Sequence, residues 1–231
     1  METNLTELVF ILDRSGSMSG LENDTIGGFN SMLSKQQEES GECRITTVLF
    51  DHKYEVLHDR IDIKAISNIS DKEYYVRGCT ALLDAVGMTI TKIDNVQKKT
   101  AEEYRAGKVL FVITTDGMEN ASREFTIDKV KSLVELHKNK HKWEFIFLGA
   151  NIDAIDVAGS LGIARNRTQN FHNDSEGVAL NYAVLSETVT AFRSAPPSAA
   201  IADDWGSKIS SDYTTRKNPN HTENTQGGIQ S

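Results

Sequence analysis

The run Asp13-Arg14-Ser15-Gly16-Ser17-Met18 follows directly on the apolar stretch Leu8-Val9-Phe10-Ile11-Leu12. One carboxylate and two hydroxyls thus stand at alternate positions where a buried strand ends and the chain turns. This alternation turns Asp13, Ser15 and Ser17 toward one point, and Gly16 keeps the backbone out of their way. Hard oxygen donors with a single charge among them suit Mg²⁺ or Mn²⁺ and suit Zn²⁺ poorly. A donor set so poor in charge leaves a coordination position for an oxygen from elsewhere. Two further oxygen donors fall at similar punctuation points. Thr80 opens a helical pattern after Gly78-Cys79, and Asp116 ends the apolar run Val112-Ile113-Thr114-Thr115.

The elements that must position these residues alternate between strand-like and helix-like along most of the chain. That is the pattern of an α/β fold with a mainly parallel sheet. Leu8–Leu12 and Val109–Thr114 are continuously apolar, as strands buried on both faces are. Arg44–Phe50 and Lys53–Ile63 are separated only by Asp51-His52, so they read as an antiparallel hairpin. Helices are predicted over Leu21–Glu39, Thr80–Val96, Thr126–Lys140, Ile155–Leu161 and Asp174–Arg193, with strands at Trp143–Leu148 and Arg167–Phe171. The expected architecture is a Rossmann-like, doubly wound sheet of six strands, one of them an antiparallel edge, with helices on both faces. In such sheets ligands bind at the carboxyl ends of the strands, where the strand order reverses. If the first and fourth strands are neighbours, Asp13, Ser15, Ser17, Thr80 and Asp116 meet there.

Asp-x-Ser-x-Ser, a later Thr at a helix start, and Thr-Asp-Gly after an apolar strand together resemble the von Willebrand factor A (VWA) domain family. The resemblance covers about residues 5–194. It implies a metal-ion-dependent adhesion site in which Ser15, Ser17 and Thr80 bind the cation directly and Asp13 and Asp116 act largely through water. A Glu or Asp from a protein partner then completes the coordination. The longer run Thr114–Asn120 is similar to bacterial intracellular members, including those of stress and tellurite-resistance loci. One departure is Cys79, where the family often has a small residue such as Gly.

Each feature also has a plainer reading. Asp13, Ser15 and Ser17 alone would make a helix-capping turn. Thr80 is expected to cap its helix as well as offer its hydroxyl, and Ser175 to cap the last one. Asp51, Asn120 and Asn151 are either binding-rim residues or turn formers, and Arg14 either faces a partner carboxylate or is solvated. His137 and His141, four apart, are the only histidines at ligand spacing, and lie where cations suit a helix C-terminus. Ala179, Leu180, Ala183, Val184 and Val189 give the last predicted helix an apolar stripe.

Net charge is −8 and the basic residues are scattered, which argues against nucleic acid or an anionic membrane as partner. No apolar run reaches the length of a membrane span, and no signal-peptide pattern precedes the first strand. Cys43 and Cys79 match no zinc spacing. They read as buried thiols of a reducing, cytoplasmic compartment, with a disulfide as the alternative. From Ala195 to Ser231 the composition turns to Pro, Ser, Asn and Gly, giving a tail that is mobile or docks locally through Trp205 and Tyr213. The functional expectation is a non-enzymatic, Mg²⁺-dependent protein-interaction module, a scaffold or adaptor. The rival is a metal-dependent phosphoryl-transfer hydrolase using Asp13 and Asp116. Against it, Ser15 stands where such enzymes usually carry a second Asp, and Lys108 lies at the wrong end of its strand.

Overall fold

A computed structural model describes residues 4–150 and 152–217. Its six strands are β1 (Thr6–Asp13), β2 (Cys43–Phe50), β3 (Tyr54–Asp62), β4 (Lys108–Thr115), β5 (Glu144–Ala150) and β6 (Thr168–Phe171). They form one sheet in the order β3-β2-β1-β4-β5-β6, parallel throughout except for the antiparallel edge strand β3. Strands β1 and β4 are neighbours, so the order reverses between them, which meets the condition for the five candidate residues to converge.

Among the described residues the six α-helices are α1 (Glu22–Glu38), α2 (Leu82–Lys99), α3 (Ile127–His141), α4 (Ala154–Ser160), α5 (Ser175–Ser194) and α6 (Ser207–Lys217). Because side chains alternate across a strand, β1 sends Leu8, Phe10 and Leu12 to one face and Val9 and Ile11 to the other. The first set packs with Phe29 and Met32 of α1 and Leu185 and Val189 of α5. The second packs with Val86 and Ile90 of α2, Val130 and Val134 of α3 and Ala158 of α4. Two hydrophobic layers therefore hold the sheet rigid from both sides, and the carboxyl ends of β1 and β4 project from a fixed platform.

Several local expectations change. Helix α2 starts at Leu82, and its N-cap Ala81 contributes no side-chain bond, so Thr80 is not a cap. The N–H groups of Leu83 and Asp84 instead donate to Glu119 Oε2 at 2.9 Å and Ser122 Oγ at 3.0 Å. Helix α5 is capped by Asp174, which accepts from the Gly177 N–H, while Ser175 donates to Asp24. On α5 the buried face carries Val178, Tyr182, Leu185, Val189 and Phe192, and Ala179 and Ala183 are exposed. Cys43 is buried, but Cys79 is exposed, and neither is in a disulfide.

Beyond α5, Ile201, Trp205 and Ile209 are buried against the same core as α1 and α5. The Trp205 indole N–H donates to the Asn166 carbonyl, and the Tyr213 ring packs on His172. The remainder of the tail, with His221, lies outside the described residues, as does Asn151. Among the described residues, no helix is long and apolar enough to cross a membrane.

Candidate metal centre

Three loops converge at the β1–β4 switch point. The first leaves β1 at Asp13 and turns through a short 3₁₀ segment, Gly16–Met18. The second precedes α2, and the third follows β4. Backbone hydrogen bonds lock them together. Gly16 N–H donates to Gly78 O, Arg77 N–H to Arg14 O, and Asn120 N–H to Thr80 O. The Asn120 side chain returns the last bond, accepting from the Thr80 N–H at 2.9 Å. Asn120 is therefore a positioning residue for Thr80.

The structure brings all five predicted site residues to one place. Ser17 Oγ donates to Asp116 Oδ1 at 2.5 Å, and that single proton leaves Ser17 to accept from Ser15 Oγ at 3.0 Å. Asp13 accepts from the Ser15 N–H at 2.7 Å and from the Thr115 hydroxyl at 2.6 Å. Tyr74, buried beneath, holds the Asp13 carbonyl at 2.6 Å. Gly117 marks where the hydroxyls converge. A Cβ there would lie 2.6 Å from Thr80 Oγ1, 3.1 Å from Ser17 Oγ and 3.5 Å from Ser15 Oγ.

The electrostatics fit a cation. Asp13, Asp116 and Thr80 are nearly fully buried. Every hydrogen-bond donor to the two carboxylates is neutral. Burial pushes the Asp13 carboxyl up to about 6, against the bonds from Thr115 and Ser15. Asp116 is raised as well, again chiefly by burial and against its bonds from Ser17 and Asn173. Two carboxylates withdrawn from water beside three hydroxyls, with no cationic side chain among their donors, make a donor set suited to a hard divalent ion. Among the described residues there is no cluster of three or more His, Cys, Asp or Glu able to hold a metal.

Arg14 fits neither of its sequence readings. It is completely buried, with Nε on Asp51 at 3.0 Å and a terminal nitrogen on Glu55 at 2.5 Å. Asp51 also receives Arg77 Nε at 2.7 Å and the Lys53 N–H at 2.8 Å, and its carbonyl accepts from the Ala81 N–H. Although burial opposes it, Arg77, Lys53 and Arg14 hold the Asp51 carboxyl below its ordinary value. Asp51 is thus a buried tie between the first two site loops. The signal in sequence was only an Asp at a strand end, since its partners lie 37 and 26 positions away.

The other candidates separate from the site. His137 is buried and stacks on Trp143 at 4.1 Å between centroids, a core contact in place of a zinc ligand. Lys108 Nζ donates to the carbonyls of Phe192, Arg193 and Ala195, closing the C-terminus of α5 at the far end of β4 from Asp116. It supplies no contact for a phosphate. Sequence reasoning gave no role to Tyr74, Ser122 and Asn173, which belong to no recognisable motif, nor to Thr115 and Glu119, which lie within the Thr114–Asn120 run but were not singled out.

No protein-family model and no curated protein matches the chain. Solved structures do resemble it. The VWA domain of the type V pilus tip protein Mfa5 from Porphyromonas gingivalis aligns at TM-score 0.58 and 12% identity, over 87% of this chain and 99% of that one. A von Willebrand factor type A protein from Catenulispora acidiphila gives 0.55 and 13%, over 80% of this chain. Proximal thread matrix protein 1 from the mussel byssus, solved with a zinc-occupied MIDAS motif, gives 0.55 and 11%, over 81%. The chain spans less than half of the last two, 42% and 46%. At these identities the likeness concerns architecture alone, the six-stranded, mostly parallel sheet that the chain shares with von Willebrand factor A domains.

Proposed function

We propose that the protein is a metal-dependent protein-interaction module whose site holds Mg²⁺ or Mn²⁺. Ser15, Ser17 and Thr80 offer hydroxyl oxygens, and Asp13 and Asp116 supply the charge. A Glu or Asp of a protein partner fills the remaining position. The module spans residues 5–194, and residues 195–231 are an addition to it. The reading further places it as a cytoplasmic scaffold or adaptor in a bacterial intracellular assembly, of the stress-response kind. It assigns the domain no catalytic residue, no nucleic-acid surface and no membrane contact.

The observation that carries this reading is the convergence of three hydroxyls on Gly117 beside two buried carboxylates whose donors are all neutral. With little anionic charge among the donors, a bound cation stays electron-poor and attracts an external carboxylate strongly. The zinc-occupied MIDAS motif of the byssus protein supports a divalent ion at this place in the fold.

Titration calorimetry of Mg²⁺ and Mn²⁺ into EDTA-stripped full-length protein tests the reading. One-site binding is expected, and its loss in Asp13→Ala. Equal binding by the parent and the variant would overturn it.

A further inference from the structure

We propose that Asn173 is a positioning residue of the metal site, held in place by the C-terminal helix α6. The inference rests on the reading of the site as a metal centre. Asp116 has two carboxylate oxygens with different partners. Oδ1 takes the Ser17 hydroxyl, and Oδ2 takes the Asn173 amide at 3.0 Å. An amide beside a carboxylate presents its NH₂, since its oxygen would be repelled. The Asn173 oxygen, buried, has no partner among the described residues, so Asp116 alone orients the group. With both oxygens tethered, the Asp116 carboxylate cannot swing about its terminal torsion. A carboxylate fixed before a metal arrives gives up less freedom on binding it.

Asn173 is central in a connection of three residues. Strand β6 ends at Phe171 and α5 begins at Ser175. The residues on either side of it both grip α6. His172 Nε2 hydrogen-bonds the Tyr213 carbonyl at 3.1 Å, and its ring packs on Tyr213 with centroids 4.8 Å apart. Asp174, the cap of α5, is paired with the Arg216 guanidinium. There is no slack on the other side either. A Cβ at Gly177 would lie 2.1 Å from the His172 carbonyl oxygen, so the first turn of α5 rests directly on the connection. The middle residue reaches the site while its neighbours are anchored to α6. A shift of α6 therefore moves Asn173 relative to Asp116.

The test uses full-length protein and reads Mg²⁺ affinity by calorimetry, beside the melting temperature of the EDTA-stripped form. Asn173→Ala is expected to weaken Mg²⁺ about tenfold, the effect of losing an outer-shell partner, while the metal-free melting temperature stays close to that of the parent. Arg216→Ala is expected to weaken Mg²⁺ in the same direction, with Arg216→Lys recovering affinity. The double variant Asn173→Ala/Arg216→Ala should bind no more weakly than Asn173→Ala alone, because α6 acts through Asn173. Asp116→Ala is the control that separates the two readings. If it loses Mg²⁺ while Asn173→Ala binds like the parent, the inference falls and the metal site stands. If Asp116→Ala also binds like the parent, the site itself is wrong. Additive losses in the double variant would overturn the role of α6.

Discussion

Gly117 matters for the carbon it lacks. Its backbone is not in the left-handed region, so alanine is conformationally acceptable there and the only obstacle is the ring of hydroxyls. We expect Gly117→Ala to cost about 1–3 kcal/mol of stability by overpacking and to weaken Mg²⁺ binding more than tenfold by displacing Thr80. Thermal melting and calorimetry on the same samples measure both, and a variant that binds metal like the parent would place the cation elsewhere. At this scale the sequence was informative only where a residue's chemistry and its neighbours coincide. Asp13, Ser15 and Ser17 announce themselves by alternation. Arg14 does not, because its burial depends on Asp51 and Glu55, 37 and 41 positions on. Asn173 is silent for the same reason. Its partner Asp116 is 57 positions away, and an Asn before a helix looks like any turn residue.

Among elements, the legible ones were those whose pattern reflects burial on both faces or a forced turn. The apolar runs of β1 and β4 and the short gap before β3 are of that kind. Helix starts were less legible, since caps are chosen by tertiary neighbours. Glu119 and Ser122 cap α2 from a separate loop. Helix α6 left little pattern in Ser207–Lys217, where Ile209 is the one buried side chain. Its docking depends instead on the pair between Arg216 and Asp174. Burial opposes ionisation of Asp174, but the Gly177 N–H, Arg216 and His172 outweigh it and hold the carboxyl below its ordinary 3.8. A depressed acid contributes stability above its unfolded value and loses it as pH falls through the folded one. Glu176 and Asp212 also face Arg216 and soften the change. The protection of residues 207–217 against hydrogen exchange, taken relative to the intrinsic rate at each pH, should therefore fall below about pH 4, and Asp174→Asn should remove that pH dependence. Identical profiles for parent and variant would show that the pair does not hold the helix.

In the whole molecule, scaffold and site are separable. Lys108 and Asp116 bracket β4, about 25 Å apart at the rise of a strand. The Lys108 ammonium, buried, satisfies three carbonyls at the end of α5. Lys108→Met should cost about 3 kcal/mol by leaving them unpaired, yet leave Mg²⁺ affinity unchanged under conditions where the protein is folded. Loss of affinity in step with stability would mean that the platform and the site are one cooperative unit. The sheet has a further consequence for how the molecule meets its own copies. One margin is β3, interrupted by register shifts opposite Ile45–Val48, with Arg60 at a left-handed φ within the strand and charges at Glu55, Asp59 and Asp62. The other is the four-residue β6, against which Gly206 sits so closely that a Cβ there would collide with Gln169. Neither margin offers a long, flat row of free amides for strand addition, so fibre-like growth is discouraged at both ends. Under the proposed function, assembly falls to the rim where the loops meet, which favours discrete complexes over open-ended polymers.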